Sequence, residues 1–222
     1  MKRRIAWVLA LLALLGCTAS AAGVGGWKAA DTPALKIPEA ALAAFDKAME
    51  KLVGVDYAPV ALLATQPVAG TNYCLLCASR AVAPDAESGY SLVYVYRDLS
   101  GGAEILDIEG LEFGIDDLDE PGDDAAENRL GGWEPYDNAG IELSEGAAAA
   151  FEAAAQKLLG VDYTPVAELA TQLVAGTNYC LLCKAAPVVP DARFDYTLVY
   201  IYRDLSGGAG IIGFEPIEYD WD

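Results

Sequence analysis

Between Pro38 and Gly54 the apolar side chains Leu42, Phe45, Met49 and Leu52 recur at the spacing of one helical face. One amphipathic helix is predicted there, opening at Pro38 and Glu39 and stopping at Gly54. Beyond it the period changes. The stretch YAPVALLATQPVAGTNYCLLCASRAV is rich in apolar and β-branched residues and is broken near its middle by Val-Ala-Gly, which predicts two long strands joined by a hairpin with Gly70 supplying the permissive backbone. PDAESG then reads as a turn, YSLVYVYR as a strand, DLSGG as a second turn and AEILDI as a last strand. In YSLVYVYR, Leu92, Tyr94 and Tyr96 alternate with Val93 and Val95, so both faces of that strand are apolar. A single helix covers one face; the other is left for the sister repeat, an oligomeric mate or an external ligand.

The whole pattern occurs twice. An offset of 106 residues carries Trp27 onto Trp133 and keeps matching without a gap to the C-terminus, with more than half of the paired positions identical. The repeats span residues 24–116 and 130–222, and a period this long is a folding unit, not a solenoid turn. In the second repeat the predicted helix face is Ala148, Phe151, Ala155 and Leu158, with Gly160 ending the helix. Residues 117–129 are acidic, carry proline and glycine, and read as a solvated linker. Their carboxylates do not fit an EF-hand loop. The predicted class is α+β, each repeat placing one helix on a four-stranded (or slightly larger) antiparallel sheet.

The hairpin residues Gln66, Pro67, Val68, Ala69 and Gly70 followed by Thr-Asn-Tyr, and again Gln172, Leu173, Val174, Ala175 and Gly176 followed by the same tripeptide, form the pattern Gln-x-Val-x-Gly. This resembles the signature of cystatins, inhibitors of papain-like cysteine proteases, and the helix-then-sheet order is similar to theirs. The resemblance covers each whole repeat and implies two tandem cystatin-like domains. It also implies a function: an N-terminal trunk around a glycine and the signature hairpin enter the protease cleft. Gly25, Gly26 and Trp27, and Gly131, Gly132 and Trp133, stand where the trunk belongs. A second hairpin carrying Pro-Trp completes the family's wedge, and here DLSGG stands in that place with neither residue. The alternative is a non-inhibitory module that binds another surface protein or ligand on the same scaffold.

Composition narrows the chemistry. The 222-residue chain carries 33 acidic and 14 basic side chains, a net charge of -19 that repels phosphate backbones, so no nucleic-acid partner is expected. It contains no histidine, which removes imidazole bases, Ser-His and Cys-His nucleophiles and His-ligated zinc. No catalytic residue, metal site or cofactor is expected. At the N-terminus a basic start, an apolar run from Ile5 to Leu15 and small residues after it read as an export signal over residues 1–16. That run is shorter than the roughly 20 residues that span a bilayer. Leu-Leu-Gly-Cys resembles a bacterial lipobox, implying cleavage before Cys17, lipid attachment to its thiol and a tether over residues 17–23 on the outer side of the cytoplasmic membrane or in the cell envelope.

Each repeat also holds a Cys-x-x-Cys, Cys74 with Cys77 and Cys180 with Cys183. In a regular strand residues three apart face opposite sides with Cα atoms about 10 Å apart, beyond the roughly 7 Å reach of a disulfide. A bond within each pair therefore needs a bulge. Two readings remain: a disulfide in each repeat, favoured by export to surroundings where disulfides form, or small buried thiols packed against the helix. A redox pair of the thioredoxin type lacks the helix N-terminus that stabilises its thiolate, and a four-cysteine metal site would have to join the two repeats.

Overall fold

The computed structural model of the chain describes residues 25–31, 36–114, 131–136 and 143–219. The export signal, Cys17, its tether, the 117–129 linker and the repeat ends Val24 and Leu130 lie outside the described residues. Repeat one contributes β1 (Lys28–Ala29), α1 (Glu39–Met49), β2 (Val55–Val68), β3 (Gly70–Ala81), β4 (Ser88–Arg97) and β5 (Ala103–Leu111). Repeat two contributes β6 (Trp133–Pro135), α2 (Glu145–Ala155), β7 (Val161–Val174), β8 (Gly176–Pro187), β9 (Asp195–Arg203) and β10 (Ala209–Pro216). Both sheets are antiparallel meanders of five strands, in the orders β1-β2-β3-β4-β5 and β10-β9-β8-β7-β6. Among the described residues no helix is long and apolar enough to cross a membrane.

This corrects the expectation of two cystatin-like domains, each a single helix on a four-stranded or slightly larger antiparallel sheet. Among the described residues the protein is mostly antiparallel sheet: two five-stranded sheets and two helices, with the sheets packed on one another. The fifth strand of each sheet comes from the Gly-Gly-Trp segment, where Lys28 pairs with Thr65 and Trp133 with Gln172. The outer face of each sheet takes its helix: Ala41, Ala44 and Phe45 of α1 pack on Leu75, Val93 and Val95, and α2 packs likewise on Leu181, Val199 and Ile201. The inner faces meet in one buried cluster, with Leu63, Leu76 and Leu92 from one sheet and their repeat equivalents Leu169, Leu182 and Leu198 from the other. A strand buried on both faces needs apolar residues at every position, which is why YSLVYVYR does not alternate with polar ones.

The helix faces differ from expectation in two details. In α1 Phe45 is buried, but Leu42 and Met49 are only half-buried and Leu52, past the helix end, is 38% exposed. In α2 the buried stripe is Ala147, Ala150 and Ala154, one residue out of phase with the expected Ala148, Phe151, Ala155 and Leu158. A helix made almost wholly of alanine offers no contrast to set the phase of its apolar face. Glu168, which stands where repeat one has Leu62, is buried, and its Oε2 accepts the Ser144 N–H at 2.7 Å just before α2. Ser144 in turn caps the helix, its Oγ accepting from Ala147 N.

The two repeats are related by an approximate twofold axis, because equivalent atoms make equivalent contacts in both directions. Tyr90 donates its hydroxyl to the Tyr136 carbonyl at 2.9 Å, and Tyr196 donates to the Ala30 carbonyl at 2.9 Å. Lys184 and Asp31 add an ion pair at 2.6 Å on one side. Trp27 stacks edge-on against Tyr94 and lies beside Tyr219 of the other repeat, while Trp133 meets Tyr200 edge-on.

Cys74, Cys77, Cys180 and Cys183 are free and fully buried, the arrangement of the second of the two readings of each Cys-x-x-Cys, small buried thiols, and not that of a disulfide within the pair. Cys74 and Cys180 lie in the cluster between the sheets, whereas Cys77 and Cys183 lie under the helices. Strand alternation separates the members of each pair. The bulges that could have brought them together fall on β2 and β7 instead, two in each strand, between Pro59 and Ala61 and between Leu62 and Ala64, and between Pro165 and Ala167 and between Glu168 and Ala170, leaving β3 and β8 regular.

Candidate functional site: the loop edge of each repeat

The strand order decides which loops become neighbours. In repeat one the segment before β1, the β2–β3 hairpin tip and the β4–β5 turn emerge side by side at one end of the sheet, because Thr71 pairs with Arg97 on one flank of the hairpin and Lys28 with Thr65 on the other. Gly25 and Gly26, the tip Pro67-Val68-Ala69-Gly70, and Asp98 to Gly102 therefore form a row. Repeat two repeats the row with Gly131 and Gly132, the tip Leu173-Val174-Ala175-Gly176, and Asp204 to Gly208.

Side chains within the row divide between display and support. Displayed to solvent are Val68 (46% exposed), Leu99 (89%), Val174 (43%), Leu173 (76%) and Leu205 (90%). Support comes from residues that lock the loops together. Gln66 Nε2 donates to the Gly25 carbonyl at 2.7 Å, and Asn72 Nδ2 donates to Gln66 Oε1 at 2.6 Å, so the trunk is tied to the hairpin through the motif's own polar residues. Asn178 and Gln172 make the same link in repeat two at 2.7 Å. The tip carbonyls of Ala69 and Ala175 accept the Tyr96 and Tyr202 hydroxyls, each at 2.7 Å.

Gly70 has φ +143°, and a Cβ there would collide with the Arg97 carbonyl oxygen and the Tyr96 ring; Gly176, at φ +139°, stands in the same place against Arg203 and Tyr202. Only glycine lets the tip close this tightly on the neighbouring strand.

The DLSGG turn is built by its aspartate. Asp98 Oδ1 accepts from Ser100 N, Ser100 Oγ and Gly102 N at 2.7–2.8 Å, and Asp204 makes the same three bonds. The serine hydroxyl foremost, with backbone N–H groups helping, holds both carboxyls below the usual aspartate range. Lys47 of α1 donates to the Gly101 carbonyl at 3.0 Å and anchors the turn from behind. A carboxylate-centred turn of this kind leaves the one apolar residue, Leu99 or Leu205, nothing to pack on.

The predicted hairpin and trunk glycines are thus brought together, but Trp27 and Trp133 are not displayed with them: both turn inward, half-buried, onto the core between the sheets. Sequence reasoning passed over Leu99, Leu205 and Tyr202 and read Tyr96 only as part of an apolar strand face; a leucine inside an otherwise polar turn was the signal for the first pair. The four cysteine thiols are pushed well above their usual value by burial, the opposite of what a nucleophile or redox pair requires. Among the described residues no group of three or more Cys, Asp or Glu is placed to hold a metal ion.

The fold and its edges define a class: a two-sheet, twofold sandwich that displays one apolar loop row from each repeat. No protein-family model matches the chain, and none of the curated proteins matches it.

Proposed function

We propose that the chain is an exported protein, tethered through Cys17, that blocks papain-like cysteine proteases by seating a loop row in the active-site cleft. The reading is supported above all by the convergence of trunk glycines, apolar tip and second turn in one row of each repeat. A cleft inhibitor needs no reactive group of its own; it needs a narrow apolar edge with small side chains that let backbone approach backbone. Val68, Ala69 and Gly70 have that character, and the bonds from Gln66, Asn72 and Tyr96 fix the edge before any partner arrives, which lowers the entropy lost on binding. Leu99 and Leu205 fill the place of the missing Pro-Trp with a single exposed aliphatic group.

Titrating active papain with the mature protein tests this: activity falls with micromolar or lower protein, and no inhibition at micromolar concentration refutes it. The absent tryptophan favours a second reading, a non-inhibitory module that uses the same rows to bind another surface protein. A protein that binds papain without slowing hydrolysis of a small substrate would establish that reading instead.

A further inference from the structure

The two loop rows point in opposite directions. Trp27, next to the first row, lies against Tyr219, which follows the end of β10 remote from the second row, where Pro216 pairs with Thr197. Reciprocally Gly114, beyond the far end of β5, donates its N–H to the Tyr200 hydroxyl beside Trp133 and the second row. Each row thus overhangs the blunt end of the other repeat's sheet. With Trp27 and Tyr219 level, the tips stand some dozen strand residues apart, roughly 40 Å at about 3.3 Å per residue.

We propose that the protein is two-headed and holds two protease molecules at once, one at each end, instead of using its second repeat as a structural duplicate. This rests on the protease-blocking reading above. A partner of about 200 residues is about 40 Å across, so two of them approaching from opposite ends do not collide. The rigidity of the sandwich matters here: one core runs through both repeats, and reciprocal Tyr90 and Tyr196 hydrogen bonds tie them, so the heads cannot fold back onto one partner. Both heads carry a tip glycine, a tyrosine-pinned carbonyl, a Gln–Asn link and an aspartate-built turn, and the first head adds the bond from Gln66 to the Gly25 carbonyl. A duplicate kept only for packing would need none of it.

The test is the mass of the complex formed by the full mature chain with excess papain, measured by sedimentation above the inhibition constant. Two papain molecules per chain are expected. Val68→Glu and Val174→Glu, placed at exposed tip positions, are each expected to reduce this to one, and the double variant to none. One papain per wild-type chain overturns the two-headed inference and leaves the inhibitor reading standing. Absence of both complex and inhibition overturns both. Circular dichroism of each variant matching wild type ties the loss to the tip and not to unfolding.

Discussion

Truncating Leu63 at the centre of the sandwich distinguishes one folding unit from two. Leu63 and its equivalent Leu169 are both fully buried in the cluster that joins the sheets. Removing the buried carbons of a leucine and leaving part of the cavity costs about 2–5 kcal/mol. With a urea slope of about 2 kcal/mol/M, a loss near 3 kcal/mol moves the unfolding midpoint by roughly 1.5 M. If the core is shared, the shift must register in repeat two although the cavity is in repeat one. A Trp27→Phe background in a chain produced from residue 17 onward makes this visible, because the tryptophans it retains, Trp133 and Trp221, both belong to repeat two. In that background Leu63→Ala is expected to lower the fluorescence midpoint and the circular-dichroism midpoint together, and Leu169→Ala to do the same by a similar amount. A fluorescence midpoint that stays in place while the dichroism splits into two steps would refute the shared core and return the protein to two independent units.

The remaining predictions concern the thiols, the carboxylate turns and the anchor. A thiol reagent added to the native protein should leave Cys74, Cys77, Cys180 and Cys183 unmodified for as long as the protein stays folded, and denaturant should release all four without reductant; a requirement for reductant would restore the disulfides. Asp98 and Asp204 have carboxyls held below the ordinary value of 3.8, so their support of the turns is complete above that pH and is lost as pH falls through the lower, folded-state value. Amide shifts of Ser100 and Gly102 should therefore titrate with a midpoint below 3.8, and a midpoint at or above it counts against the turn geometry. The lipid attachment proposed at Cys17 predicts that the exported protein incorporates labelled fatty acid and that Cys17→Ala does not; an unlabelled wild-type protein would count against lipid anchoring.

Strands, hairpin and the opposed cysteines were legible because each depends on local geometry. Val-Ala-Gly interrupts a β-branched run, and alternation along a strand sends Cys74 and Cys77 to opposite faces whatever lies beyond. What covered the second face was not legible. YSLVYVYR showed that both faces were apolar, but an apolar face carries no label for its partner, and the contact of Trp27 with Tyr219 joins the two ends of the described chain. The edge strand was missed for a different reason: Lys28–Ala29 is too short to show a period and is a strand only because β2 offers it a free edge. The phase of α2 failed because alanine at nearly every position leaves the sheet, not the sequence pattern, to choose the buried stripe.

The Gln-x-Val-x-Gly-Thr-Asn stretch divides between two jobs that its letters do not separate. Gln66 and Asn72 make their bonds inward, to Gly25 and to each other, and Gly70 is fixed by its closeness to Arg97, so three of the motif's positions serve to hold the loops together. Pro67, Val68 and Ala69 are left facing outward. A substitution at Gln66 should therefore loosen the trunk from the hairpin and weaken partner binding without altering any group the partner touches, whereas one at Val68 should weaken binding with the loops intact. Hydrogen exchange at the Gly25–Lys28 amides separates the two: faster exchange in Gln66→Ala and unchanged exchange in Val68→Glu are expected, and equal exchange in both would mean that Gln66 is not a support.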